Sequence, residues 1–194
     1  MINFRLILLV FFLFITGCAQ QIQKTTPPDN NWRERLQRVE QFSAQGKMAF
    51  ISAKKRQSAN FVWQQQNDDY GLDLNTFIGT NVLRLNKHAT TVDIEVDGEY
   101  YQGDDPQRLV YQLTGWLLPL SQPERWLLAT MTENAQLDEL GRVISSSWTS
   151  PDNRQWQIQY RDYQAQFGVW LPKSITLVQD NLKIKLLINQ WQVQ

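Results

Sequence analysis

One histidine and one cysteine leave this 194-residue chain little to catalyse with. His88 stands in LNKHATT, a turn between two strand-like runs. A Ser-His-Asp hydrolase would need it, but no Gly-x-Ser-x-Gly elbow is present. A surface turn residue is the simpler reading. A single His and a single Cys make no His/Cys metal cluster. QGKMAF contains Gly-Lys without the Gly-rich run of a phosphate-binding loop, so no nucleotide energy source is expected. Carboxylates pair at Asp68–Asp69, Asp104–Asp105 and Asp138–Glu139. A glycosidase needs two across a sugar cleft. Each candidate here falls in a turn, on a polar strand face or at a helix cap, where solvation or capping already accounts for it. The chain is therefore read as a non-enzyme without metal or cofactor.

The one cysteine has a different chemistry open to it. MINFR carries Arg5, LILLVFFLFI supplies about ten apolar residues, and Thr16-Gly17 precede Cys18. That apolar run is a signal-peptide length and too short to span a bilayer, which takes about 20 residues. The segment resembles the bacterial lipoprotein signal, with Ile15 in place of the usual Leu. The resemblance implies a diacylglycerol on the Cys18 thiol, cleavage before it, and an N-acyl chain on the new amino group. Ala19 after the Cys is not the Asp of inner-membrane retention, so this likeness implies the outer membrane. Several chains anchor firmly where one is marginal. A lone thiol in an exported protein also calls for such an explanation, having no partner for a disulfide.

The elements that must position any site follow from periodicity. AQQIQKTTPPDN is a polar, Pro-containing tether. NWRERLQRVEQF sets Trp32, Leu36, Val39 and Phe42 at helical spacing, with Asn30 or Asn31 as cap. From GKMAFIS onward the period is two, clearest where Val92, Ile94 and Val96 alternate with Asp93, Glu95 and Asp97. Two helices interrupt. DDPQRLVYQLTG has an Asp cap, Pro106, Leu109 and Leu113 on one face, and Gly115 as stop. SQPERWLLAT starts with Ser121 and Glu124 at capping-box spacing. Strands then resume to the end, Trp156, Ile158 and Tyr160 on one face of one, and Ile184, Leu186 and Ile188 on one face of the last.

About ten short strands with short connections predict an antiparallel sheet. A sheet that wide must curl to cover its apolar face. The expected fold class is mainly β: an open, incomplete antiparallel β-barrel covered by a lid of about three α-helices. Such a half-barrel either packs solid or encloses an apolar cavity. Eight Trp suit the walls of an apolar slot, but composition alone favours an ordinary aromatic-rich core. The net charge of zero argues against nucleic acid.

FSAQGKMAFIS, SANFVWQQQ, YGLDLNTFIGTNVLRL, LTGWLLPL, ERWLLA and INQWQV, in this order and spacing, resemble the LolA/LolB-like lipoprotein localisation family, on its LolB side. The resemblance covers nearly all of the mature chain. It implies residues 1–17 as lipoprotein signal peptide, 18–30 as lipidated Cys and flexible tether, and 31–194 as the half-barrel domain. It also implies a function: a receptor on the periplasmic face of the outer membrane takes triacylated lipoproteins from a LolA-type periplasmic carrier. The receptor then inserts them among the phospholipids of the inner leaflet. The same resemblance shifts the balance from a solid core to a cavity for acyl chains.

NTFIGTN, between two strand-like runs, is a turn whose tip holds two large apolar residues. By resemblance it matches a protruding family loop that delivers cargo to the membrane. Ile78, just before Gly79, matches the family's Leu position, whereas Phe77 stands where many relatives have Pro. Both alternatively fold back onto the rim. Alternation nominates Phe61, Trp63, Leu72, Leu74, Leu83, Leu85, Val92, Ile94 and Val96 as pocket residues on the strands. Leu113, Trp116, Leu117, Leu118, Trp126 and Leu127 are nominated from the lid. A one-residue slip in register would turn any of these strands over. A monomer is expected. The alternative function is an outer-membrane lipoprotein that binds another lipid or forms a structural part of an envelope assembly machine.

Overall fold

The computed structural model describes residues 27–194. The signal peptide, Cys18 and most of the tether lie outside the described residues. Helix α1 (Trp32–Gln37) leads into strands β1 (Gln41–Ile51), β2 (Arg56–Gln66), β3 (Asp69–Asn75), β4 (Asn81–His88), β5 (Thr91–Val96) and β6 (Glu99–Gly103). Helices α2 (Pro106–Thr114) and α3 (Pro123–Leu127) follow. The chain closes with β7 (Gln136–Leu137), β8 (Val143–Thr149), β9 (Gln155–Gln166), β10 (Val169–Gln179) and β11 (Leu182–Val193). Among the described residues no helix is long and apolar enough to cross a membrane.

All eleven strands form one antiparallel sheet, in the order β6-β5-β4-β3-β2-β1-β11-β10-β9-β8-β7. Each strand except β6 neighbours its successor in the chain, and the first and last strands pair in the middle. β6 and β7 are left as unjoined edges, so the barrel is open. Two tight turns carry Asn67 and Phe167 at positive φ, as reversals between twisted strands demand.

The central β1–β11 pairing has one irregularity. Gln45 opposes Gln190, but Gly46 opposes Ile188, so β11 holds an extra residue there. Ile184, Leu186 and Ile188 face inward before this bulge and Trp191 after it, the parity having changed. Gly46 is required at this point: a Cβ on it would overlap the Leu187 carbonyl.

The first helix is shorter than its spacing predicts. It ends at Gln37, and Phe42 is an inward residue of β1 rather than the last helical turn. Asn31 occupies the N-cap without a side-chain cap bond. What holds α1 is its arginines. Arg33 Nε donates to Gly141 O at 3.2 Å, and Arg35 Nη2 donates to Gly168 O at 2.6 Å, tying the helix to two hairpin tips. In α2, Asp105 accepts from the Arg108 amide at 3.0 Å and Gly115 closes the helix at φ 72°, as expected. Its fully buried residue is Val110, with Leu109 and Leu113 partly buried beside it. The capping box at Ser121 does not form: Gln122 is the N-cap of α3, and no side chain caps it.

Candidate functional site

The concave face of the sheet is one continuous apolar surface. Phe61 and Trp63 on β2, Leu72 and Leu74 on β3, Leu83 and Leu85 on β4, and Val92 and Ile94 on β5 are all buried within it. Val96, at the end of β5, is only partly buried. The other wing contributes Ile158 and Tyr160 of β9, Leu171, Ile175 and Leu177 of β10, and Ile184 and Leu186 of β11. These were not nominated for the pocket, although the same alternation marks them.

The lid segment spans both wings. From β3, the Tyr70 hydroxyl donates to Leu120 O at 2.7 Å. From β9, the Tyr160 hydroxyl donates to Trp126 O at 3.0 Å. Burial pushes both phenols well above their ordinary pKa, so each keeps its proton to donate. Trp126 Nε1 in turn donates to Pro119 O at 2.9 Å, and its ring meets Trp63 edge-on at 6.4 Å. Leu117, Leu118 and Leu127 are buried and belong to the core cluster. The α2 end is held more lightly. Trp116 is partly buried, stacks on Phe50 at 4.8 Å, and donates to Gln57 Oε1 at 3.0 Å. Leu113, one turn earlier, is also partly buried. Beneath the lid, the buried side chains of both wings form one apolar cluster with those of the lid.

The β3–β4 loop is built to expose its tip. The Gly79 amide donates to Thr76 O at 3.0 Å, closing a turn with Phe77 and Ile78 at its two central positions. The Thr80 amide donates to Thr76 Oγ1 at 3.1 Å, and Asn60 Nδ2 reaches Thr76 O at 3.4 Å. Gly79 sits at φ 88°, which a side chain would disfavour. The polar flanks hold the turn, and Phe77 and Ile78 stand 91% and 84% exposed. Neither folds back onto the rim.

His88 ends β4, with Nδ1 3.4 Å from Asp69 Oδ2. Asp69 Oδ1 accepts from the Ala89 amide at 2.8 Å, which accounts for this carboxylate as a turn clasp and holds its pKa below the ordinary value. Ser43 shares the cleft of about 400 Å³ beside them, but its hydroxyl points to Gln192 at 3.5 Å. Nucleophile and base are thus not paired. Asp104 pairs with Arg108 at 2.8 Å, and Asp138 with Arg142. Among the described residues no group of three or more His, Cys, Asp or Glu is placed to hold a metal.

An open antiparallel sheet curled round an apolar interior under a helical lid is a fold this chain shares with solved structures of lipoprotein-sorting type. A LolA superfamily protein from Nitrosomonas europaea superposes with a TM-score of 0.55 over 87% of this chain and 94% of its own, at 8% identity. The family model "Outer membrane lipoprotein LolB" matches residues 40–191. The outer-membrane lipoprotein LolB of Pseudoalteromonas translucida is 39% identical over 187 residues, 96% of this chain and 93% of that protein. That of Tolumonas auensis is 34% identical, covering 97% and 96%. The chain belongs to the LolB family of outer-membrane lipoproteins.

Proposed function

We propose that this protein is an outer-membrane receptor that takes acylated lipoproteins from a LolA-type carrier and inserts them into the inner leaflet. Cys18, with its diacylglycerol and N-acyl chain, is the anchor, and residues 18–30 are the tether. The acyl chains of the cargo lie under the lid, among the inward residues of β2–β5 and the lid residues from Leu113 to Leu127. Each buried CH₂ gains about 0.8 kcal/mol, so one palmitoyl-length chain is worth on the order of 10 kcal/mol. A triacylated protein therefore needs a closed apolar path between carrier and membrane. Direction comes from differential affinity at each station, without catalysis or nucleotide.

The observation that carries the delivery step is the exposed Phe77–Ile78 tip on a turn held by its own hydrogen bonds. Isoleucine and phenylalanine at such exposure gain by entering a bilayer, and the neighbouring polar flanks keep the rest of the loop in water. The test is a carrier loaded with a lipoprotein, mixed with this protein and outer-membrane-like vesicles without nucleotide. Ile78→Glu is expected to accept cargo at the normal rate and to insert it at least tenfold more slowly. Normal insertion by that variant would refute the membrane role of the loop. Failure of the unmodified protein to accept any cargo would instead support a structural role in the envelope.

A further inference from the structure

The chain is neutral as a whole, but its charges are sorted. Strands β2, β1 and β11, adjacent in the middle of the sheet, contain no Asp or Glu. They carry Lys47, Arg56, Lys183 and Lys185, all exposed, on the convex face. Lys183 and Lys185 alternate there with the buried Ile184 and Leu186. The β1–β2 turn adds Lys54 and Lys55, also exposed. Among the described residues none of these cations has a carboxylate partner, whereas Arg84, Arg108, Arg125, Arg142 and Arg154 each have one. Asp180, in the β10–β11 turn, is bonded to Gln179 and to none of them. Like charges gathered on one face repel one another, and an anionic partner removes that cost.

The patch reaches the rim that bears the apolar tip. Asn60 of β2 opposes Asn75, the last residue of β3 before the loop. Arg56 lies roughly 13 Å further along β2 in the same direction. It opposes Ile51, which Lys183 flanks from β11. The β1–β2 turn closes itself: the Ser52 amide donates to Lys55 O at 2.9 Å, and the Lys55 amide to Ser52 Oγ at 3.2 Å. A cationic turn and an apolar turn therefore stand side by side on one rim, each held by its own bonds. On the other side of the loop, the β5–β6 turn exposes Asp97 and Glu99. Opposite charges thus flank the tip. An anionic surface favours the approach that brings the β1–β2 side down and lifts the β5–β6 side away.

We infer that Lys54, Lys55 and Arg56, backed by Lys183, bind anionic headgroups of a phospholipid bilayer while Phe77 and Ile78 enter its apolar layer. Lys47 and Lys185 stand further from the rim and add to the field. A bilayer fits better than an acidic protein, because the cations share their rim with exposed residues that gain by entering hydrocarbon. Apolar insertion and attraction between cations and anionic lipid act together where each alone is weak. This rests on the membrane role of the loop proposed above. It adds a dependence on headgroup charge, which apolar insertion alone does not impose.

The test floats the mature chain carrying Cys18→Ala, without the thiol that the proposed anchor needs, with two kinds of vesicle. One is phosphatidylcholine alone, the other contains about one-third phosphatidylglycerol. At low salt this chain is expected to bind the phosphatidylglycerol vesicles roughly tenfold more tightly, and to lose the advantage in about 0.5 M sodium chloride. Adding Lys54→Gln, Lys55→Gln and Arg56→Gln together, all in an exposed turn, is expected to abolish the advantage and leave phosphatidylcholine binding unchanged. Equal binding of both vesicles before those three changes overturns the inference, and needs no further variant to fold. So does a triple variant that keeps the advantage but accepts cargo from the carrier more slowly, since the patch would then dock an acidic protein. Ile78→Ser, which changes no charge, is expected to weaken binding to both vesicles alike. If it leaves both unchanged, the membrane role of the loop fails, while the contribution of charge, read from the triple variant, stands. Binding to neither vesicle removes both.

Discussion

The loop from Asn75 to Asn81 and the lid stretch from Gly115 to Leu120 both set large apolar residues between turn-forming neighbours. Phe77 and Ile78 nevertheless stand 91% and 84% exposed, whereas Leu118 and Leu120 are 1% exposed. Hydrophobicity does not separate the two. The backbone hydrogen bonds do. In the loop, Thr76 takes the amides of Gly79 and Thr80 onto its own oxygens, so the turn closes locally, and the sheet adds only the longer Asn60 contact at 3.4 Å. In the lid, Pro119 O and Leu120 O have no such local partners and are satisfied by Trp126 and by Tyr70 reaching up from β3. A segment that closes its own hydrogen bonds is free to present its side chains to something else. A segment that borrows donors from the sheet is drawn down onto it.

That contrast predicts a steep gradient of mutational cost between the two regions. Among truncations, Leu127, wholly buried in the lid, heads it. Leu127→Ala is expected to destabilise by about 3–4 kcal/mol, read as a drop in the urea midpoint at constant slope. Next comes the bond that joins the lid to β9. Tyr160→Phe keeps the ring and leaves Trp126 O buried without a donor, for a loss of about 1–2 kcal/mol. An unchanged midpoint in that variant would mean that packing alone holds the lid down. The distinction drawn above between borrowed and local hydrogen bonds would then fall.

Much of the frame behind this gradient was legible before any coordinates. Period-two alternation marked both faces of nearly every strand, because a half-buried strand writes its orientation into residue type. Asp105, Pro106 and Gly115 bounded α2 for local reasons of capping and backbone geometry. What was not legible depends on partners distant in the chain. The meeting of β1 with β11 is a pairing across almost the whole described chain, and the bulge that turns Trp191 inward exists only against Gly46. Trp32, Leu36, Val39 and Phe42 fit a helix by spacing, yet Phe42 is taken by the sheet, where it pairs with Gln65 and Val193. The burial of Leu117 and Leu118 turned on carbonyls bonded from elsewhere.

Electrostatics adds a smaller effect, confined to the lid side. Burial raises the carboxyl pKa of Glu124 in α3, and the nearby charge of Asp68 adds to it, while a hydrogen bond from its own backbone amide, Arg125 and Lys87 pull the other way without cancelling the rise. The folded state therefore holds this proton more tightly than the unfolded state. Stability is fullest below the ordinary glutamate range, falls as pH rises from there through the raised value, and is level beyond it. Glu124→Gln is expected to flatten that fall and to leave the protein slightly more stable at neutral pH. Midpoints measured between about pH 4 and pH 8 check it. A variant that is less stable at neutral pH would show that the carboxylate is held by bonds rather than disfavoured by burial.

The smallest expected change in stability belongs to the exposed tip, and its smallness is what makes it informative. Ile78→Glu removes a side chain that is already in water, and the turn beneath it is held by Thr76, Gly79 and Thr80, which the substitution leaves in place. Its midpoint is expected to lie within about 0.5 kcal/mol of the unmodified protein. Leu118→Glu puts the same carboxylate into the core and is expected to unfold the domain. If Ile78→Glu destabilises the protein by more than 1 kcal/mol, the tip is packed in solution and the contrast between loop and lid collapses. If it is silent in stability yet delivery fails, the cost of keeping two apolar residues in water is retained for contact with the membrane.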